Sequence, residues 1–239
     1  MRQESSRIDR RSFLERSAAG ITAGALAVPG LTTVADAAGT GPPPMATDAK
    51  SGLERLMAGN ARFVAGHPLC APLTKRRAAL AHGQSPYAIV LSCSDSRVPV
   101  ETVFDEEPGN IFGVRIAGNF LDDNGIGSIE YSVAVLKSTL IVVMGHSECG
   151  AVKAAVENVK SGAMPPGHIA GLVRAIAPAA KESQGHEGNW LHNAIVQNVR
   201  ENVAALPHRS AIVAEAVHDG KLRVVGALYD LASGKVRFL

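Results

Sequence analysis

The stretch "VLSCSDSRVP", residues 90–99, decides how this chain of 239 residues is read. An apolar run from Tyr87 to Leu91 stops at Ser92, and the next five positions place a thiol, two hydroxyls, a carboxylate and a guanidinium side by side. A short apolar, β-branched run bounded by polar residues reads as a buried strand. Its end then concentrates the most reactive side chains available to the chain in one loop.

Further runs of the same kind lie on the C-terminal side: "IFGVRI" from Ile111 and "TLIVVMG" from Thr139. A helical pattern, "GIGSIEYSVAVLK", separates them. Continuous apolar strands alternating with helices predict an α/β fold, a mostly parallel β-sheet flanked by helices. Helices are expected over 50–66, where Leu53, Leu56, Met57 and Phe63 recur at helical spacing, and over 73–81, 150–159 and 191–206. The C-terminal "LRVVGALYDLASGKVRFL" reads as strand, broken at Ser233-Gly234.

In open α/β sheets ligands bind beyond the carboxyl ends of the strands. The third run ends in "GHSECGAV", so His146 and Cys149, spaced H-x-x-C, can meet Cys93 there. Two thiolates and one imidazole form a three-ligand zinc set that leaves a fourth position for water or substrate. A cysteine phosphatase loop fits poorly: only three residues separate Cys93 from Arg97, and Asp95 between them would repel a phosphate dianion. A structural zinc site would need a fourth protein ligand, which Asp95 could supply. Cys70 follows Pro68 and belongs to no motif.

The composition, 46% hydrophobic with 24 basic and 22 acidic residues, allows one substantial core and carries no nucleic-acid footprint. The basic cluster Lys75-Arg76-Arg77 reads as a solvated helix face. Residues 1–37 combine "RRSFLER", a mildly apolar stretch from Ala18 to Val28 and the small-residue site Ala35-Asp36-Ala37. These are the parts of a twin-arginine export signal, handled by the twin-arginine translocation machinery, with the mature chain expected in the periplasm or outside the cell. The apolar stretch falls short of the ~20 residues a permanent membrane anchor needs. Residues 38–47, containing "GTGPPP", read as a linker and 48–239 as the globular domain. Three cysteines cannot all pair, which leaves at least one thiol for another purpose.

Taken together, "CSDSRVP", "GHSECGAV", "GNARFVAG", "RIAGN" and "LYDLASGKV" resemble a β-class carbonic anhydrase over nearly all of residues 50–239. The resemblance implies zinc held by Cys93, His146 and Cys149, with Asp95 and Arg97 as a catalytic dyad. It further implies reversible hydration of carbon dioxide to bicarbonate and a proton by a zinc hydroxide that Asp95 orients, in a homodimer or higher homo-oligomer with active sites at subunit boundaries. Gln84 matches a substrate-bonding glutamine, Phe112 and Tyr131 match aromatic walls of the carbon dioxide pocket, and Ala117 stands where the family often has valine. One branch of the family has tryptophan three residues before the first ligand together with a non-catalytic bicarbonate site. Val90 occupies that position, so the branch with an open zinc site is expected. The same ligands also admit hydrolysis of carbon disulfide or carbonyl sulfide, or a non-catalytic zinc module. No proton shuttle stands out among His67, His82, His168, His186, His192, His208 and His218.

Overall fold

A computed structural model describes residues 45–69 and 73–239. The export signal, most of the linker and Cys70 lie outside the described residues. Asp48 starts the first helix: its side chain accepts the Ser51 backbone N–H at 2.8 Å, and the Ser51 hydroxyl accepts the Asp48 N–H at 3.2 Å. This reciprocal capping opens α1, Ala49–Ala65, which Gly66 closes in the left-handed conformation at φ 72°. Next come α2 (Leu73–Leu80), β1 (Ala88–Ser92), α3 (Val100–Val103), β2 (Ile111–Arg115) and α4 (Asp123–Ala134). After them follow β3 (Leu140–His146), α5 (Gly150–Ser161), α6 (Ile169–Glu182), α7 (Trp190–Arg209), α8 (Ala211–His218), β4 (Arg223–Tyr229) and β5 (Val236–Phe238).

The sheet runs β2-β1-β3-β4-β5, with the first four strands parallel and β5 antiparallel to β4. β1 and β3 lie in the centre and are buried at every residue, which is why they read as unbroken apolar runs. Alternation still decides which layer each side chain joins. Ala88, Val90, Leu140, Val142 and Met144 pack with Leu56 of α1 and Phe104. Ile89, Leu91, Ile141 and Val143 pack with Ile129 of α4, Val199 of α7 and Val213 of α8.

Two close approaches bring α7 onto the sheet. A Cβ on Gly145 or Gly226 would lie 2.8 or 2.9 Å from a methyl of Val199, so only glycine strands let the helix sit this near. A third apolar cluster joins α5, α6 and α7 through Val152, Val156, Val173, Ile176 and Ile195, and it includes Cys93 and Cys149. On the opposite layer, the buried Arg55 guanidinium forks onto Glu106, Nε to Oε1 at 2.6 Å and Nη2 to Oε2 at 2.7 Å. Tyr87 and Asn110 complete that carboxylate, tying α1 to the segment before β2.

Helices α3, α6 and α8 were not expected. In α6, Pro178 reads as a breaker, yet its ring lies on the exposed side while Val173, Ile176, Ala179 and Ala180 bury the other. Burial of that face outweighs the local cost. Among the described residues, no helix is long and apolar enough to cross a membrane.

Candidate metal centre

Cys93 stands one residue beyond β1, and His146 is the last residue of β3. In the parallel register Ser92 pairs with Met144, so both chains deliver their reactive residue to the same carboxyl edge. A turn with Glu148 in the left-handed region, φ 56°, then returns the chain so that Cys149 is the N-cap of α5. There the backbone N–H groups of Ala151 and Val152 favour a thiolate.

All three side chains are buried, and their donor atoms lie within 4.8 Å of one another. The Cys93 and Cys149 sulfurs are 3.9 Å apart. Two sulfurs bound tetrahedrally at ~2.3 Å from zinc sit ~3.8 Å apart, so little rearrangement is needed to close on the ion. His146 Nδ1 lies 2.9 Å from the Ser147 carbonyl. That oxygen can only accept, which puts the ring proton on Nδ1 and leaves the lone pair on Nε2. Nε2 is buried and has no hydrogen-bond partner among the described residues. An unpaired buried acceptor costs about 1–3 kcal/mol, a cost that a cation removes.

A hydrogen bond links the two sulfurs. The hydrogen bond between the sulfurs draws the Cys93 thiol below its ordinary value, against burial, which pushes it up. That same bond, together with burial, pushes the Cys149 thiol far above its ordinary value. A dication held here would take both sulfurs as thiolates. Two sulfur donors and one imidazole are a ligand set that fits zinc.

Asp95 sits at the mouth of the centre, its Oδ2 3.9 Å from His146 Nε2. Arg97 holds it in a fork, Nε to Oδ1 at 2.9 Å and Nη2 to Oδ2 at 2.7 Å, while the Arg97 backbone N–H adds a bond of 2.9 Å to Oδ1. The Arg97 side-chain bonds, ahead of its backbone bond, keep the Asp95 carboxyl well below the usual carboxylate range. Behind the loop, Arg115 from the end of β2 donates Nε to the Cys93 carbonyl at 3.2 Å and Nη2 to the Asp95 carbonyl at 2.7 Å. Gly118 donates its N–H to the Cys93 sulfur at 3.3 Å.

The sequence alone singles out neither Arg115 nor Gly118. Both fall within or beside "RIAGN", where an arginine at a strand end and a glycine three residues later are the available signals. Ala117, half-buried, adjoins Gly118 and therefore the centre. The other expected pocket residues lie elsewhere in the chain. Phe112 precedes Arg115 by three strand residues, ~10 Å back along β2. Its ring tilts against Tyr131 at 6.3 Å between centroids. Gln84 is exposed at the amino end of the sheet, in a depression of about 470 Å³ with His82, Pro108 and Gly109. The seven histidines outside the centre are all exposed.

The parallel α/β sheet carries at its carboxyl edge a buried Cys-His-Cys cluster that could hold a metal ion, faced by an ion-paired carboxylate. Residues 88–236 match the carbonic anhydrase family. The chain is 42% identical over 182 residues to a carbonic anhydrase of Mycolicibacterium smegmatis, covering 76% of this chain and 88% of that one. It is 40% identical over 181 residues to carbonic anhydrase 2 of Mycobacterium tuberculosis, covering 75% and 87%. Among solved structures, the β-carbonic anhydrase of Aspergillus fumigatus superposes with a TM-score of 0.62 at 27% identity, covering 80% of this chain and 89% of that one. The Coccomyxa β-carbonic anhydrase in complex with acetazolamide gives 0.60 at 26% identity, covering 78% and 86%. The chain belongs to the carbonic anhydrase family, in its β class, and is an enzyme of that family.

Proposed function

We propose that the enzyme interconverts carbon dioxide and bicarbonate with release of a proton, using zinc held by Cys93 Sγ, His146 Nε2 and Cys149 Sγ. The observation that carries this reading is a buried His146 nitrogen, unpartnered among the described residues, gathered with two close sulfurs and faced by a carboxylate that Arg97 holds. Bound there, zinc supplies the Lewis acidity that makes hydroxide available from water, less strongly on two thiolates than on three neutral imidazoles.

The residues of the chain do the rest. Asp95, kept ionised by Arg97, accepts the hydrogen of the nucleophile through a carboxylate oxygen. A lone pair on the nucleophile is thereby directed at the carbon of carbon dioxide. The Arg97 bonds to both Asp95 oxygens favour the carboxylate as a hydrogen-bond acceptor beside the three donor atoms over a role as fourth ligand. Arg115 fixes the backbone on both sides of Ser94, so ligand and orienting group move as one unit.

The proposal extends to assembly and address. Gln84 and one of the two aromatic residues, Phe112 or Tyr131, serve the substrate pocket of a neighbouring subunit; Tyr131 is 43% exposed beside the edge strand β2. Residues 1–37 export the chain, and 48–239 act as the catalytic domain. Stopped-flow hydration of carbon dioxide by zinc-loaded protein tests the reaction. Carbon disulfide and carbonyl sulfide are offered in parallel: turnover of these with no hydration would replace the substrate, and no turnover of any would leave a zinc-binding module.

A further inference from the structure

Immediately after β2 the chain makes an unusual turn. Gly118 has φ 87° and Asn119 φ 42°, two consecutive residues in the left-handed region. At Gly118 a Cβ would lie 2.4 Å from Ile176 Cδ1 of α6, so the turn is pressed against that helix and tolerates glycine alone. The Gly118 N–H points at the Cys93 sulfur, 3.3 Å away.

The other side of this peptide turn is held from α7. Asn198 Nδ2 donates to the Gly118 carbonyl at 2.8 Å, and Asn198 is only 2% exposed. Asn202 Nδ2 in turn donates to the Asn198 carbonyl and side-chain oxygen at 2.7 and 3.2 Å, which sets the amide of Asn198 with its nitrogen toward Gly118. Asn202 Oδ1 accepts the Leu121 N–H at 2.8 Å, and Arg209 Nη1 donates to the Leu121 carbonyl at 2.8 Å. At 100° per residue, positions 202 and 209 lie within ~40° and ~20° of position 198 around the helix, so one polar stripe of α7 grips the turn from end to end.

We propose that Asn198 is a positioning residue for the metal centre: by holding the Gly118 carbonyl, it fixes the Gly118 N–H on the Cys93 sulfur and so tunes that sulfur as a ligand. The inference rests on the assignment of Cys93 as a zinc ligand. A hydrogen bond to a thiolate withdraws electron density that the sulfur would otherwise give the metal, which keeps the metal more electrophilic. Loss of a hydrogen bond in the outer shell of a metal site is worth roughly 10–100-fold in affinity or activity. Loop packing alone does not have this electronic consequence.

The test uses the full enzyme with Asn198→Ala, loaded with zinc or with cobalt(II). Expected are about one metal per chain, kcat lowered roughly tenfold with KM little changed, and a sulfur-to-cobalt charge-transfer band moved to lower energy. In metal-free protein the Gly118 amide proton should move upfield in the NMR spectrum. Arg209→Ala, which removes the bonds to the Leu121 carbonyl and the Asp123 carboxylate and leaves Asn198 and Gly118 paired, should lower stability and leave the band in place. If Asn198→Ala does not fold, Asn202→Ala, which keeps the Asn198 donor and frees its orientation, must move the band the same way by a smaller amount. A cobalt band that neither variant moves overturns the relay. A wild type with no sulfur band at all overturns the ligand set beneath it.

Discussion

Arg97 and Asp95, two residues apart, close a ring of three hydrogen bonds in which the guanidinium and the backbone N–H of one residue occupy both carboxylate oxygens of the other. The carboxylate is thereby held beside the Cys-His-Cys cluster, its Oδ2 3.9 Å from His146 Nε2.

Asp95→Asn should keep one zinc per chain and the fold, because no ligand is lost. Its rate of carbon dioxide hydration should fall about 100-fold, the scale of a missing oriented acid–base partner. Metal analysis and stopped-flow rates on one preparation check both halves; loss of zinc would make Asp95 a ligand.

Removing a ligand has the opposite signature. Cys93→Ala leaves one sulfur and one nitrogen, so most of the zinc should be lost on dialysis while circular dichroism keeps the α/β signal. Cys70 belongs to no motif, and Cys70→Ser should retain the metal in full.

The Asp95–Arg97 pair also has a pH signature. The folded-state pKa of Asp95 lies below its unfolded value of about 4. Its stabilisation is complete above that value and is lost as pH falls through the folded pKa. In urea melts, the stability gap between wild type and Arg97→Ala should be constant from pH 7 to 5 and shrink toward pH 2. A gap that widens in acid would contradict the assignment.

Gly118→Ala should destabilise the fold by about 1–3 kcal/mol, the cost of forcing a side chain into a strained backbone conformation. The added methyl also meets Ile176. Thermal melts would measure it, and an unchanged midpoint would mean that the turn rearranges freely.

Hybrid assembly tests the subunit boundary. A Gln84→Ala chain mixed with an Asp95→Asn chain can form one intact site if Gln84 serves its neighbour. Partial recovery of hydration is expected; no recovery, or an active monomer in sedimentation, would place the pocket within one chain.

What was legible in the sequence follows from how locally each feature is encoded. Val90, Leu91, Val142 and Val143 announce central strands because burial on both faces admits only apolar side chains. Cys93, His146 and Cys149 are legible as a site because strand ends of one parallel sheet must share an edge. Helix α6 is not, since Pro178 reads as a breaker and only packing against α5 and α7 overrides it. Arg115 and Asn198 escape notice for a different reason. They act on backbone carbonyls of residues 22 and 80 positions away, a relationship that no spacing in the sequence announces.

The most direct test of the metal centre is zinc K-edge X-ray absorption on the loaded enzyme near pH 7. The expected shell is two sulfurs, one nitrogen and one oxygen from solvent that a small anionic inhibitor displaces. A shell whose oxygen resists displacement in the wild type and disappears in Asp95→Ala would show the carboxylate bound to zinc and contradict the open site.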